Sequence, residues 1–256
     1  MEFMNSPRDA AQSILARMQA LHGTPDTIAA VDEKEFTHLD LPTYRAFRES
    51  LERRGYKYLG DFEIVNLSNR PDSFMMRTMI RSMVSADATT SAGHYQVRPK
   101  MDRLRKNLVA GLRNLRFIDA PAAYLRAAKT RACYDFESEL PSGYVLTNNA
   151  EAAGGFSVPA SFDKKTFPYD TSLDEVRTAH EARLAAATRR VGETPTRMAT
   201  REDVEAMQRR LKARKQAHRA ASGWITRDEL VKFARGNTAL ADAIYDELQL
   251  LAKERA

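Results

Sequence analysis

The chain has one cysteine, Cys133, and one tryptophan, Trp224, in 256 residues. A single thiol excludes an intramolecular disulfide and any cysteine-rich zinc site. No apolar run approaches the roughly 20 residues needed to cross a bilayer. Residues 1–21 carry Glu2, Arg8, Asp9 and Arg17 and no apolar core, so they do not read as a secretory signal. These absences set the expectation of a soluble, cytoplasmic protein. The phosphate loops Gly-x-x-x-x-Gly-Lys and Gly-x-Gly-x-x-Gly are also missing, and neither Asn148-Asn149 nor Gly154-Gly155 has their spacing. Histidines and carboxylates show no metal-ligand spacing. No cofactor and no metal are expected, and no motif names a reaction.

What is present is a globular composition, 43% apolar and 29% charged, with a formal charge of +6. That modest excess is compatible with nucleic acid, an anionic membrane surface or an acidic protein partner.

Ser6-Pro7 reads as a capped helix start, followed by Ala10, Ile14, Met18 and Leu21 at helical spacing. Residues 24–40 read as a loop with a short helical turn. A second helix follows Leu41-Pro42, with Tyr44, Phe47 and Leu51 as its stripe and Gly55 after its end. Tyr56 to Asn66, Phe74 to Ser85 and Ala92 to Arg98 read as strands, with a turn at Asn69-Arg70-Pro71-Asp72. Met101 to Arg116 reads as an amphipathic helix inserted between strands, and Ala122 to Ala128 as a further helical piece. Cys133 to Leu140 and Tyr144 to Asn148 read as a hairpin turning at Pro141-Ser142-Gly143.

The stretch Tyr144 to Ala187 joins a strand, a loop containing Pro159 and Pro168, and a helix. Ser172 and Glu175 match a capping box, and Leu173, Val176, His180, Leu184, Ala187 and Val191 share a stripe. A long basic helix then runs from about Thr200 to Ser222. Thr226 and Glu229 form a second capping box, and a final helix carries Leu240, Ile244, Leu248 and Leu251. Strands grouped with short turns, then helices, predict an α+β fold: about five antiparallel strands packed by helices, with a helical C-terminal third. The expected division is a core at 1–192 and a helical subdomain or arm at 193–256.

His180 is the leading titratable residue. It reads as a general base with Arg183 holding an anionic substrate, or as a core histidine bonded to neighbouring groups. Its stripe position favours the core, and Leu184 rules out His-Glu-x-x-His. His94, near Asp87 and Thr89-Thr90-Ser91, and Cys133, near Lys129 and Arg131, have catalytic readings too. Turn residues and a small core residue are the plainer ones. From Arg197 to Arg219 there are eight Lys/Arg against three Asp/Glu. Arg209, Arg210, Lys212, Arg214, Lys215 and Arg219 offer themselves to phosphates or an acidic partner, or simply to solvent. Aromatic interleaving for single strands is lacking.

Val145-Leu146-Thr147-Asn148-Asn149, the Pro168 loop, His180-Glu181-Ala182-Arg183-Leu184, Lys215 to Arg219, and Gly223-Trp224-Ile225-Thr226-Arg227-Asp228-Glu229-Leu230 follow one another in that order. The layout resembles that of a group of uncharacterised bacterial proteins, over roughly residues 50–235, with Asn148 where those have serine. The resemblance implies a bacterial α+β domain, some relatives of which are membrane-tethered, and no known activity. The expected function is therefore a non-enzymatic interaction protein with an acidic protein partner; a toxin-neutralising immunity protein would fit. The alternatives are an enzyme using His180 with Arg183, and nucleic-acid or anionic-membrane association through residues 201–219.

Overall fold

The computed structural model describes residues 6–68, 76–101, 131–150, 156–234 and 236–254. The expected helices at Met101–Arg116 and Ala122–Ala128, the turn at 69–72 and Gly154-Gly155 lie outside them, apart from Met101 itself. Two compact units emerge: residues 26–150 with 163–205, and residues 1–25 with 151–162 and 206–256. This division differs from a cut at residue 192.

The first unit is α+β. Its sheet has seven strands in sequence order: β1 (Ile28–Ala30), β2 (Lys57–Ile64), β3 (Ile80–Val84), β4 (Ser91–Val97), β5 (Arg131–Leu140), β6 (Gly143–Asn148) and β7 (Phe162–Thr166). The expected sheet of about five antiparallel strands is thus too small. β1 and β7 lie in segments that read as loops, because three- and five-residue edge strands carry too few residues to show alternation. β1 to β6 pair antiparallel. The Phe167 N–H donates to the Asn148 carbonyl at 2.7 Å, joining the C-terminal ends of β6 and β7 and making the sheet mixed. The β5–β6 hairpin turns at Pro141-Ser142, with Leu140 opposite Gly143.

Alternation along the strands directs one face toward two helices. Arg81 and Met83 of β3, Ala92 and His94 of β4, and Tyr134 and Phe136 of β5 are register partners on that face. Helix α2 (Leu41–Glu52) packs on β2, β3 and β4, burying Tyr44, Phe47 and Leu51. Gly55, at φ +81°, lets the chain reverse into β2. The turn at Glu33–Phe36 is a 3₁₀ helix, and α3 (Val65–Ser68) follows β2. Helix α4 (Leu173–Val191) packs on β5 and β6 through Val176, His180 and Ala187; Val191 is exposed. Phe47, Leu51, Met83, Phe136 and Val176 form the shared core.

Ser172 caps α4: its Oγ accepts the Glu175 N–H at 3.2 Å. Gly192, at φ +69°, ends the helix in the left-handed conformation. Ser172→Ala is expected to cost about 1 kcal/mol, read as a lower urea midpoint at unchanged slope.

The second unit is helical. Helix α1 (Pro7–His22) is capped by Ser6, whose Oγ accepts the Asp9 N–H at 3.1 Å. It packs against α7 (Thr238–Lys253), and Ala10, Ala11 and Leu15 join Ile225, Leu230, Ile244, Leu248 and Leu251 in one core. Helix α5 (Arg201–Ala221) passes from the sheet unit into this one, and α6 (Arg227–Phe233) follows it. No helix among the described residues is long and apolar enough to cross a membrane.

Candidate functional site

His180 is 0% exposed, held between α4 and the β5–β6 hairpin. Its Nε2 lies 3.0 Å from Ser138 Oγ and its Nδ1 lies 3.1 Å from Thr147 Oγ1. Ser138 Oγ is in turn 3.0 Å from Thr90 Oγ1. Arg183, one helical turn on, donates to Thr147 Oγ1 at 2.6 Å, to the Leu146 carbonyl at 2.9 Å and to Asp163. One directional chain satisfies these groups. It runs from Arg183, which can only donate, to Thr147 Oγ1, with His180 Nδ1 accepting the Thr147 O–H, His180 Nε2–H donating to Ser138 and Ser138 O–H to Thr90; the opposite histidine tautomer satisfies the same contacts, because the Thr147 oxygen can accept twice.

Burial, and then the Arg183 charge, push the His180 pKa down to about 3, with Asp163 pulling the other way. A general base needs a free lone pair facing substrate. His180 is closed off from solvent and both its nitrogens are engaged. Arg183, offered by the sequence as an anion holder, instead ties α4 to β6 and β7. The core reading of His180 is the one its geometry supports.

His94 is also 0% exposed. Its ring lies 4.4 Å from that of Tyr44 and 5.2 Å from those of Phe47 and Tyr134. Its Nδ1 bonds the Cys133 carbonyl at 3.0 Å, and its Nε2 has no partner among the described residues. Burial lowers its pKa to about 4. Asp87 and Thr89 shape the β3–β4 turn through Ser85, and Thr90 joins the His180 chain, so no Ser/Thr–His94 dyad forms. Cys133 is wholly buried, which suits a small core residue rather than a nucleophile.

The basic helix divides its charges unequally. α5 buries Val204, Met207 and Leu211 and exposes Arg209 and Arg210, with Lys212, Arg214 and Lys215 half-buried. Arg219 is 2% exposed and pairs with Glu229, both Oε atoms lying 2.8 Å from its Nη1. It therefore leaves the phosphate-facing set. Glu229 also completes the capping box by accepting the Thr226 N–H at 2.8 Å, and accepts the Ser157 N–H at 2.5 Å. Burial pushes its carboxyl up, but these two N–H groups and Arg219 outweigh that and hold it at about 2.

A groove that no motif or spacing announced opens beside α2, with a volume of about 700 Å³. Val31, Asp32 and Glu33 form one wall, Arg45, Arg48, Glu49 and Glu52 of α2 the other, and Tyr58, Asp61 and Arg81 the floor. His180 and His94 do not line it. Arg81 donates to both carboxylate oxygens of Asp61, at 2.8 and 2.7 Å, and to Glu33 at 2.8 Å. Arg45 reaches Glu33 at 2.8 Å and Arg48 reaches Glu52 at 2.7 Å. Hydrogen bonds from Arg45 and Arg81 hold Glu33 below the usual carboxylate range. Along the sequence Arg81 alternates onto the same strand face as Arg77, Met79 and Met83, a pattern that marks no site. Its partners on β2 and on the 3₁₀ turn are 20 and 48 residues away in sequence.

Comparison with known proteins gives no matching family model, no matching curated protein and no matching solved structure.

Proposed function

We propose that this protein works by binding a partner rather than by catalysis, and that the partner presents an acidic surface, as another protein would, to helix α5. The observation that carries the reading is the division of that helix: Val204, Met207 and Leu211 turn inward while Arg209 and Arg210 are exposed. The fate of the titratable groups adds support. His94 and His180 are buried with lowered pKa values, which suits packing better than proton transfer. In the groove, Glu33 is shifted downward, opposite to what a general acid requires. Nucleic acid and an anionic membrane offer α5 the same sign of charge, and the test separates them.

The full chain is titrated against polyglutamate, mixed-sequence duplex DNA and phosphatidylserine vesicles over a salt series. Tightest binding to polyglutamate is expected, falling with salt, and weakened about tenfold by the double variant Arg209→Glu/Arg210→Glu. Preference for DNA, with log affinity linear in log salt, would replace this reading with nucleic-acid binding. Preference for vesicles would replace it with membrane association. No binding at low salt, or binding indifferent to the double variant, rejects α5 as the contact surface.

A further inference from the structure

We propose that the groove beside α2 binds an organic cation: a flexible chain bearing two or more primary ammonium or guanidinium groups. None of the residues that line it belongs to α5. Its lining holds five carboxylates against three guanidiniums, an excess of two negative charges in a chain whose formal charge is +6. The local field therefore opposes that of the protein as a whole, and it draws cations to this one concavity.

The pairing pattern shows where a ligand enters. Arg81 and Asp61 are 4% and 5% exposed at their side chains and form a fixed floor. At the rim the pairs are open to solvent, with Arg45 58% and Arg48 43% exposed. Exposed pairs of this kind contribute about 0–1 kcal/mol, so an incoming cation displaces them at little cost. Glu49 and Asp32 are exposed and have no cation partner among the described residues; the Asp32 carboxylate accepts the Lys34 N–H at 2.9 Å.

The groove already displays how it holds an organic cation. The Arg48 guanidinium lies 4.2 Å from the Tyr58 ring centroid while its Nε donates to Glu52 at 2.7 Å. An aromatic face with a carboxylate beside it recognises ammonium and guanidinium groups. Arg81 repeats the arrangement, 5.8 Å from Tyr58 and 5.6 Å from Tyr44, with Asp61 and Glu33 as its carboxylates. A ligand cation that pairs with Glu49 and takes the place of Arg48 on Tyr58 and Glu52 meets the same chemistry. A volume of about 700 Å³ lies within the usual range for small ligands. Among the described residues no three carboxylates converge closely enough to hold a metal ion, so spaced organic charges fit better than a compact inorganic one.

Free polyamines and lysine-rich peptide segments share this chemistry. The full chain is titrated calorimetrically with spermidine and with trilysine amide, and with triglutamate as the opposite-charge control. Saturable binding of at least one cationic probe is expected at low salt, weakened about tenfold by Glu49→Lys and by added salt. Asp246→Lys, the same charge change at an exposed position on α7, is expected to leave it unaltered. Tighter spermidine binding identifies a free polyamine as the ligand, and tighter trilysine binding a basic segment of a partner. Three results overturn the site: no saturable binding of either cation, equal weakening by Glu49→Lys and Asp246→Lys, or preference for triglutamate.

Discussion

Arg81→Met is expected to destabilise the sheet unit by about 3–5 kcal/mol, the range seen when one member of a buried ion pair is removed. Arg81 is 3% exposed and sits opposite Asp61 in the β2–β3 register. Its guanidinium serves two carboxylates from two different elements. Without it, Asp61 loses both guanidinium bonds in a buried place, while Glu33 retains only Arg45. Methionine fills much of the volume, so the loss reads the stranded charge rather than a cavity. Removing both charges tests that account: Arg81→Met/Asp61→Leu is expected to recover most of the loss, because the desolvation penalty disappears with the second charge. Urea unfolding followed by far-UV circular dichroism measures both. A single-variant loss below about 1 kcal/mol would show the pair to be solvated like a surface bridge.

Acid is expected to destabilise the same unit well before carboxylates titrate. Unfolded histidine takes up its proton near pH 6.5. Folded His94 and His180 resist until about 4 and about 3. Above pH 6.5 neither state holds these protons and nothing is gained or lost. As pH falls through 6.5 the unfolded chain binds two protons that the folded chain does not, and stability falls. Each histidine contributes about 1.4 kcal/mol per pH unit, so the pair removes on the order of 3 kcal/mol between pH 7 and 5. His94→Phe is expected to halve that slope, since the ring keeps its aromatic neighbours and an unpartnered Nε2 is lost. In the helical unit Glu229 acts in the same direction but lower. Its stabilisation is complete above the usual carboxylate value of 4.5 and disappears as pH falls toward about 2. A urea midpoint that stays flat between pH 6.5 and 5 would show that the histidines are not held neutral.

Much of the secondary structure was readable because it depends on near neighbours. Tyr44, Phe47 and Leu51 announced α2, and the pairs Ser6-Pro7 and Thr226–Glu229 announced helix starts found as written. The Pro141-Ser142 hairpin was visible for the same reason. The edge strands β1 and β7 were not, since their extended form is imposed by pairing with β2 and β6. Of the candidate site residues, the stripe position of His180 between Val176 and Leu184 already pointed inward. The hydroxyls of Ser138 on β5 and Thr147 on β6 that satisfy it, and that of Thr90, just before β4, that continues the chain, carry no common pattern.

The sequence by itself determined the class, the main helices and the strands long enough to alternate, because spacing and capping act within a few residues. It also determined the sign and location of the basic helix. Tertiary structure alone decided which charges remain outside. It drew Arg219 into a buried pair with Glu229 and left Arg209 and Arg210 exposed on the same helix. It closed His180 into a hydrogen-bonded core and opened a charged groove between elements far apart in the chain. The physical reason is that burial and charge pairing are settled by three-dimensional neighbours, and the neighbours that matter here lie on different strands and helices.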